Sequence, residues 1–143
     1  MNQRIGKLVI TGLSAALLVG CAATYKPSAS DTQLASYAGA AVYPREITAV
    51  QAPHLFCSIA PDATITIYNA GDESYSNFEI WINQMYTLHI EKLDARSTIA
   101  IDPATVYNKR GSNLKGVPAA SIIAVQVFMQ DKLWDVQGPI LPH

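Results

Sequence analysis

The chain has 143 residues, half of them apolar and 15% charged, which is enough for one core and argues against wholesale disorder. Its formal charge of −1 provides no basic excess to neutralise phosphates, so nucleic acid is excluded as a favoured partner. The length suits one domain, since single domains cluster near ~100–150 residues.

Met1 to Lys7 carries Arg4 and Lys7 and no acid, and Leu8 to Val19 follows as 12 residues that are apolar except for Thr11, Gly12 and Ser14. A membrane-spanning helix needs roughly 17–25 apolar residues, so this run is too short to span and reads as a secretory signal over residues 1–20. Its removal takes 143 residues to 123 and the formal charge from −1 to −3. The last signal residues and the next one, Leu18-Val19-Gly20-Cys21, resemble the lipobox of bacterial lipoproteins. That resemblance implies cleavage before Cys21, a lipid on its sulfur and acylation of the new amino group. Several acyl chains hold stably where one holds only reversibly, at ~0.8 kcal/mol per buried methylene. In the family, an Asp after the Cys retains the protein at the inner membrane. Here Ala22 stands in that place, implying the outer membrane and its periplasmic face.

Residues 21–45 are small, polar and punctuated by Pro and Gly, with no sustained apolar period, and are expected to form a flexible tether after the acylated Cys21. A tether of ~24 residues spans ~25–30 Å on average. A short ordered stretch is expected near Leu34–Tyr37.

Residues 46–143 read as short strands. Ile65 and Ile67 alternate with Thr64, Thr66 and Tyr68, and a turn cluster follows from Asn69 to Ser74. Phe78, Ile80 and Ile82 form one inward face; Tyr86, Leu88 and Ile90 form the next. Paired residues must share a face, so Ile82 is predicted opposite Tyr86, Ile80 opposite Leu88 and Phe78 opposite Ile90. That register requires a three-residue loop, with a left-handed residue expected near Met85. Ser97–Ile101 is a further strand stopped by Asp102-Pro103. Ser121–Gln130 is apolar on both faces, as suits a central strand, and Leu133–Val136 closes a hairpin across Gln130–Lys132. His54–Ile59 supplies one earlier strand. Six or seven short strands without a long helical pattern predict an all-β fold, an antiparallel Ig-like β-sandwich.

Asn69-Ala70-Gly71, Asn77-Phe78-Glu79-Ile80 and Leu93 through Ile99 together resemble turns of small immunoglobulin-like or fibronectin-III-like modules of bacterial surface proteins. Arg96 stands where such modules often carry Gly. The likeness implies a fold and carries no functional residues with it.

Chemistry is sparse in the sequence. Cys57 is the only cysteine besides Cys21, and a small buried apolar role explains it. His54 and Cys57, three apart in a strand, face opposite ways and make no dyad. His54, His89 and His143 are scattered, without the spacing of a metal site or other cofactor. Asp62, Asp72 and Glu73 sit near turns, where carboxylates hydrogen-bond their own backbone. The loop from Gly111 to Gly116 lacks phosphate-loop spacing. No acid lies in an apolar run, so catalysis is not expected. The predicted hairpin places Glu79, Trp81, Thr87 and His89 on its outward face, a candidate binding surface for an envelope protein partner unless the tether or the Tyr107–Pro118 loop covers Trp81. Trp134 is a second aromatic for the core or for the flank of Trp81. The expectation is a lipid-anchored binding or structural module of the envelope. The alternative is an accessory subunit of a secretion or conjugation apparatus, offering a sheet edge to a partner strand.

Overall fold

A computed structural model describes residues 23–140. The expected signal peptide, the expected acylation site Cys21 and His143 lie outside the described residues. The chain runs β1 (Ala23–Tyr25), α1 (Asp31–Ala40), β2 (Val50–Ile59), β3 (Ile65–Asn69), β4 (Tyr75–Ile82), β5 (Tyr86–Leu93), β6 (Thr98–Ile101), β7 (Val125–Met129) and β8 (Lys132–Ile140), with short 3-10 turns at Pro103–Thr105 and Ala119–Ser121. It is mostly β with one α-helix. Among the described residues no helix is long and apolar enough to cross a membrane.

The predicted hairpin forms in the predicted register, with Ile82 opposite Tyr86, Ile80 opposite Leu88 and Phe78 opposite Ile90. Its loop has three residues, but the left-handed ones are Asn83 and Gln84, at φ 53° and 60°, rather than Met85. Two consecutive positive φ values make the mirror-image turn that matches strand twist. The Asn83 side chain then latches the turn to the approach of β7, donating to Ser121 O at 2.7 Å and accepting from Ile123 N at 2.9 Å. Gln130 and Asp131, at φ 53° and 59°, make the same kind of turn between β7 and β8, with Met129 opposite Lys132. As its two apolar faces require, β7 lies between two neighbours, β4 and β8.

The arrangement of strands departs from the antiparallel sandwich expected from the sequence. All eight strands join one curled sheet in the order β1-β6-β3-β2-β8-β7-β4-β5, and two of its pairs, β1 with β6 and β2 with β8, are parallel. The first of those pairs comes from the N-terminal segment. Residues that look too small and polar for a fold supply the β1 edge and the helix that closes the sheet's open side. Ser30 and Gln33 cap α1 reciprocally, Ser30 N donating to Gln33 Oε1 at 2.8 Å and Gln33 N to Ser30 Oγ at 3.3 Å. Leu34 and Ala38, one turn apart, are buried and join the same core cluster as Phe78, Ile80 and Ile90. The two ends of the sheet are drawn together when Glu91 N on β5 donates to Tyr25 Oη on β1 at 3.0 Å. Further along β5, Thr87 and Tyr107 bridge their backbones at 2.9 and 3.4 Å, so the chain itself covers that edge. The expected flexible tether is thus ordered from Ala23 onward.

The main core lies inside the curl and includes Leu55, Ile65, Ile67, Ile80, Leu88, Ile90 and Val127. A second, smaller cluster lies on the outer face, where Tyr43, Trp81 and Leu133 are buried with Ala41, Ile47, Ala49 and Phe128 against them.

Candidate functional site

On the outer face of β4 and β5, Glu79 is opposite His89 and Trp81 opposite Thr87, as the alternation requires. Their surroundings bear out the alternative in which the expected tether covers Trp81, rather than an open contact patch. Trp81 is 3% exposed, with the Tyr43 ring edge-on at 5.5 Å between centroids. Thr87 is buried and donates from Oγ1 to Ile80 O at 2.8 Å. Glu79 accepts from the Tyr37 hydroxyl, and the Tyr37 ring meets His89 edge-on at 6.1 Å. Burial, and next the adjoining Glu79 carboxylate, push the Tyr37 hydroxyl's pKa well above its usual range. Residues 37–49 therefore occupy the surface that a partner was expected to use. Trp81 and Thr87 are closed off, while Glu79 and His89 are half-buried.

This covering segment creates a cavity of about 440 Å³ beside Trp81, bounded by Val42, Tyr43 and Arg45 on one side and by Met85, Lys109 and Arg110 on the other. Sequence reading missed it. Arg45 falls in the stretch read as tether, and Lys109 and Arg110 in a loop read as a solvated connection. The only signal was the basic concentration of Lys109, Arg110 and Lys115 in one short loop.

A second cavity, about 660 Å³, is lined by Thr24, Asp62, Asp102 and Lys115 among others. Its carboxylates serve the backbone: Asp62 Oδ1 accepts from Thr64 N at 3.0 Å, and Asp102 Oδ1 accepts from Ala104 N at 2.9 Å. That backbone bond holds the Asp62 carboxyl below its usual pKa. A third cavity, about 360 Å³, sits between Tyr25, Gln33, Tyr37, His89 and Glu91. Asp72 pairs with Arg96, Oδ1 to Nη2, at 2.6 Å on the surface. Among the described residues no three His, Cys, Asp or Glu side chains are placed to hold a metal ion. The loop expected between Gly111 and Gly116 turns on left-handed backbone at both glycines, φ 80° and 87°.

Cys57 is buried at 3% exposure on β2, and His54 is exposed on the opposite side of the strand. Desolvation pushes the thiol's pKa up to about 12. Iodoacetamide at pH 8 is therefore expected to leave Cys57 unmodified in the native chain and to label it within minutes in urea. Native labelling at the denatured rate would mean the strand opens. Trp134 packs against the main core and not against Trp81, with Lys132 Nζ 5.8 Å from its ring centre. The deepest polar side chain is Asn69, at 0% exposure. Its Nδ2 donates to Glu73 O at 2.7 Å and Asp94 O at 3.2 Å, and its Oδ1 accepts from Gly71 N at 3.0 Å.

No family model, curated protein or solved structure matches the chain.

Proposed function

We propose that the protein is a lipoprotein of the outer membrane, anchored at the periplasmic face through Cys21, and that its domain is a binding or structural module of the cell envelope rather than a catalyst. The observation that carries this reading is Leu18-Val19-Gly20-Cys21 directly after a basic head and a 12-residue apolar run. Ala22 in place of Asp supports the outer membrane as destination. A non-catalytic role is supported by the state of the polar groups that line the folds of the domain. The buried thiol is held protonated, and Asp62 and Asp102 are committed to turns. The turn residues at Asn69–Gly71 and Leu93–Ile99 support kinship with immunoglobulin-like modules at that corner. The sheet order is of another kind.

Cell fractionation tests the anchor. The Cys21→Ser protein is expected to leave the outer-membrane fraction, since the apolar run alone is too short to hold it after export. A Cys21→Ser protein that stays in that fraction at the wild-type level overturns acyl anchoring.

A further inference from the structure

The 440 Å³ cavity beside Trp81 has a composition unlike the rest of the surface. Arg45, Lys109 and Arg110 are exposed around it, and no carboxylate lines it. The ion pairs among the described residues, Lys92 with Asp94 and Arg96 with Asp72, leave these three cations unmatched. In a chain of formal charge −1 such a grouping is a local excess that attracts an anion. Two guanidinium groups favour an oxyanion in particular, because their forked donors match phosphate or carboxylate geometry.

The same cavity is apolar where it is not basic. Val42 and Met85, 72% and 56% exposed, stand at its edge. They are two of the three large apolar side chains more than half exposed among the described residues, and the third, Ile123, adjoins the same hairpin through Asn83. Exposed apolar side chains gathered in one place mark a contact surface. Beneath them the Tyr43 hydroxyl is committed to Gln126 Oε1 at 2.7 Å. The indole N–H of Trp81 is buried without an acceptor, as is that of Trp134 away from the cavity. The volume lies within the ~300–1,000 Å³ typical of small-molecule sites.

We propose that this cavity binds an anionic amphiphile, with its phosphate or carboxylate held by Arg45, Lys109 and Arg110 and its hydrocarbon portion over Val42 and Met85. The site does not depend on the anchor at Cys21, so either reading can fail alone. The mature chain is titrated with decyl phosphate below its micelle concentration, following tryptophan emission and binding heat. Saturable binding is expected, weakened at least about tenfold in the exposed triple variant Arg45→Gln/Lys109→Gln/Arg110→Gln. Met85→Ser is expected to weaken decyl phosphate but not inorganic phosphate. Equal thermal unfolding of the variants shows that they fold. No saturable binding, decanol binding as tightly as decyl phosphate, or a triple variant of unchanged affinity overturns the proposal. Vesicles of phosphatidylglycerol, compared with phosphatidylcholine, separate the sources of the ligand. Cosedimentation with the former that the triple variant loses assigns the site to lipid headgroups. Binding of decyl phosphate without cosedimentation assigns it to a free amphiphile.

Discussion

Replacing Tyr43 with Ala is expected to cost about 3–5 kcal/mol of stability and to bring Trp81 into water. Tyr43 is 9% exposed and is the aromatic side chain that the covering segment lays over Trp81. Removing it forfeits its own burial, the edge-on ring contact, worth ~0.5–1.5 kcal/mol, and the hydrogen bond to Gln126. Gln126 is itself buried and bound through Nε2 to Asp135 Oδ1 at 2.8 Å, so its Oε1 has little freedom to find another donor. Tyr43→Phe isolates that last contribution, at about 1–2 kcal/mol. Urea unfolding gives the stabilities, and native tryptophan emission gives the exposure. A loss under about 1 kcal/mol with no red shift would show that residues 41–49 do not hold Trp81. The same variant opens the cavity wall, so a stable Tyr43→Ala chain should also lose decyl phosphate binding.

The second large effect is at Asn69. Its amide connects three strands' ends by bonding Glu73 O, Asp94 O and Gly71 N from a position with no solvent access. Asn69→Ala leaves two carbonyls and one N–H without their partner, at about 1–3 kcal/mol for each group that water does not reach. The net expectation is about 3–5 kcal/mol. Asn69→Asp makes the loss depend on pH. The introduced carboxyl faces two carbonyl oxygens, and both burial and those oxygens disfavour its charged form. Its folded pKa is raised above the unfolded ~3.9, so stability is retained below that value and lost as pH rises through the folded one. Thermal unfolding of Asn69→Asp at pH 4 and pH 8, each against the parent chain, should show the larger deficit at pH 8. A deficit that is equal at the two values, or larger at pH 4, contradicts this placement of the side chain.

Local pattern made some of this fold legible and not the rest. Alternation along Ile65–Asn69 and from Phe78 to Ile90 reports a face, and a shared face fixes a register, so the β4–β5 hairpin could be written down residue by residue. Arg96 shows how a sequence exception can hide a rule. Its backbone is left-handed, φ 58°, which is the conformation that makes Gly natural at this corner, and its side chain instead pairs with Asp72. Helix α1 was legible only as a short ordered stretch near Leu34–Tyr37, because its buried stripe consists of Leu34 and Ala38, too few apolar positions to make a period, although Ser30 and Gln33 mark its start. Pairing of β2 with β8 joins distant parts of the chain, and no local period encodes which strands become neighbours. The face of Trp81 was readable for the same reason as the hairpin. Its cover was legible only as a choice between the tether and the Tyr107–Pro118 loop, and Tyr43 of the expected tether supplies it. The basic cavity is equally non-local, built from Arg45 between α1 and β2 and from Lys109 and Arg110 between β6 and β7.

The early start of β1 carries a consequence for geometry at the bilayer. Ala23 is already hydrogen-bonded alongside Ile99, so only Ala22 separates the sheet from residue 21. At ~3.3–3.6 Å of reach per residue, two peptide units give a standoff of ~7 Å, about the thickness of one headgroup layer. With acyl chains on residue 21 the domain has no leash: it lies on the lipid like a float moored by a single link. If the proposed anchor holds, whatever it meets must come down to that shoreline.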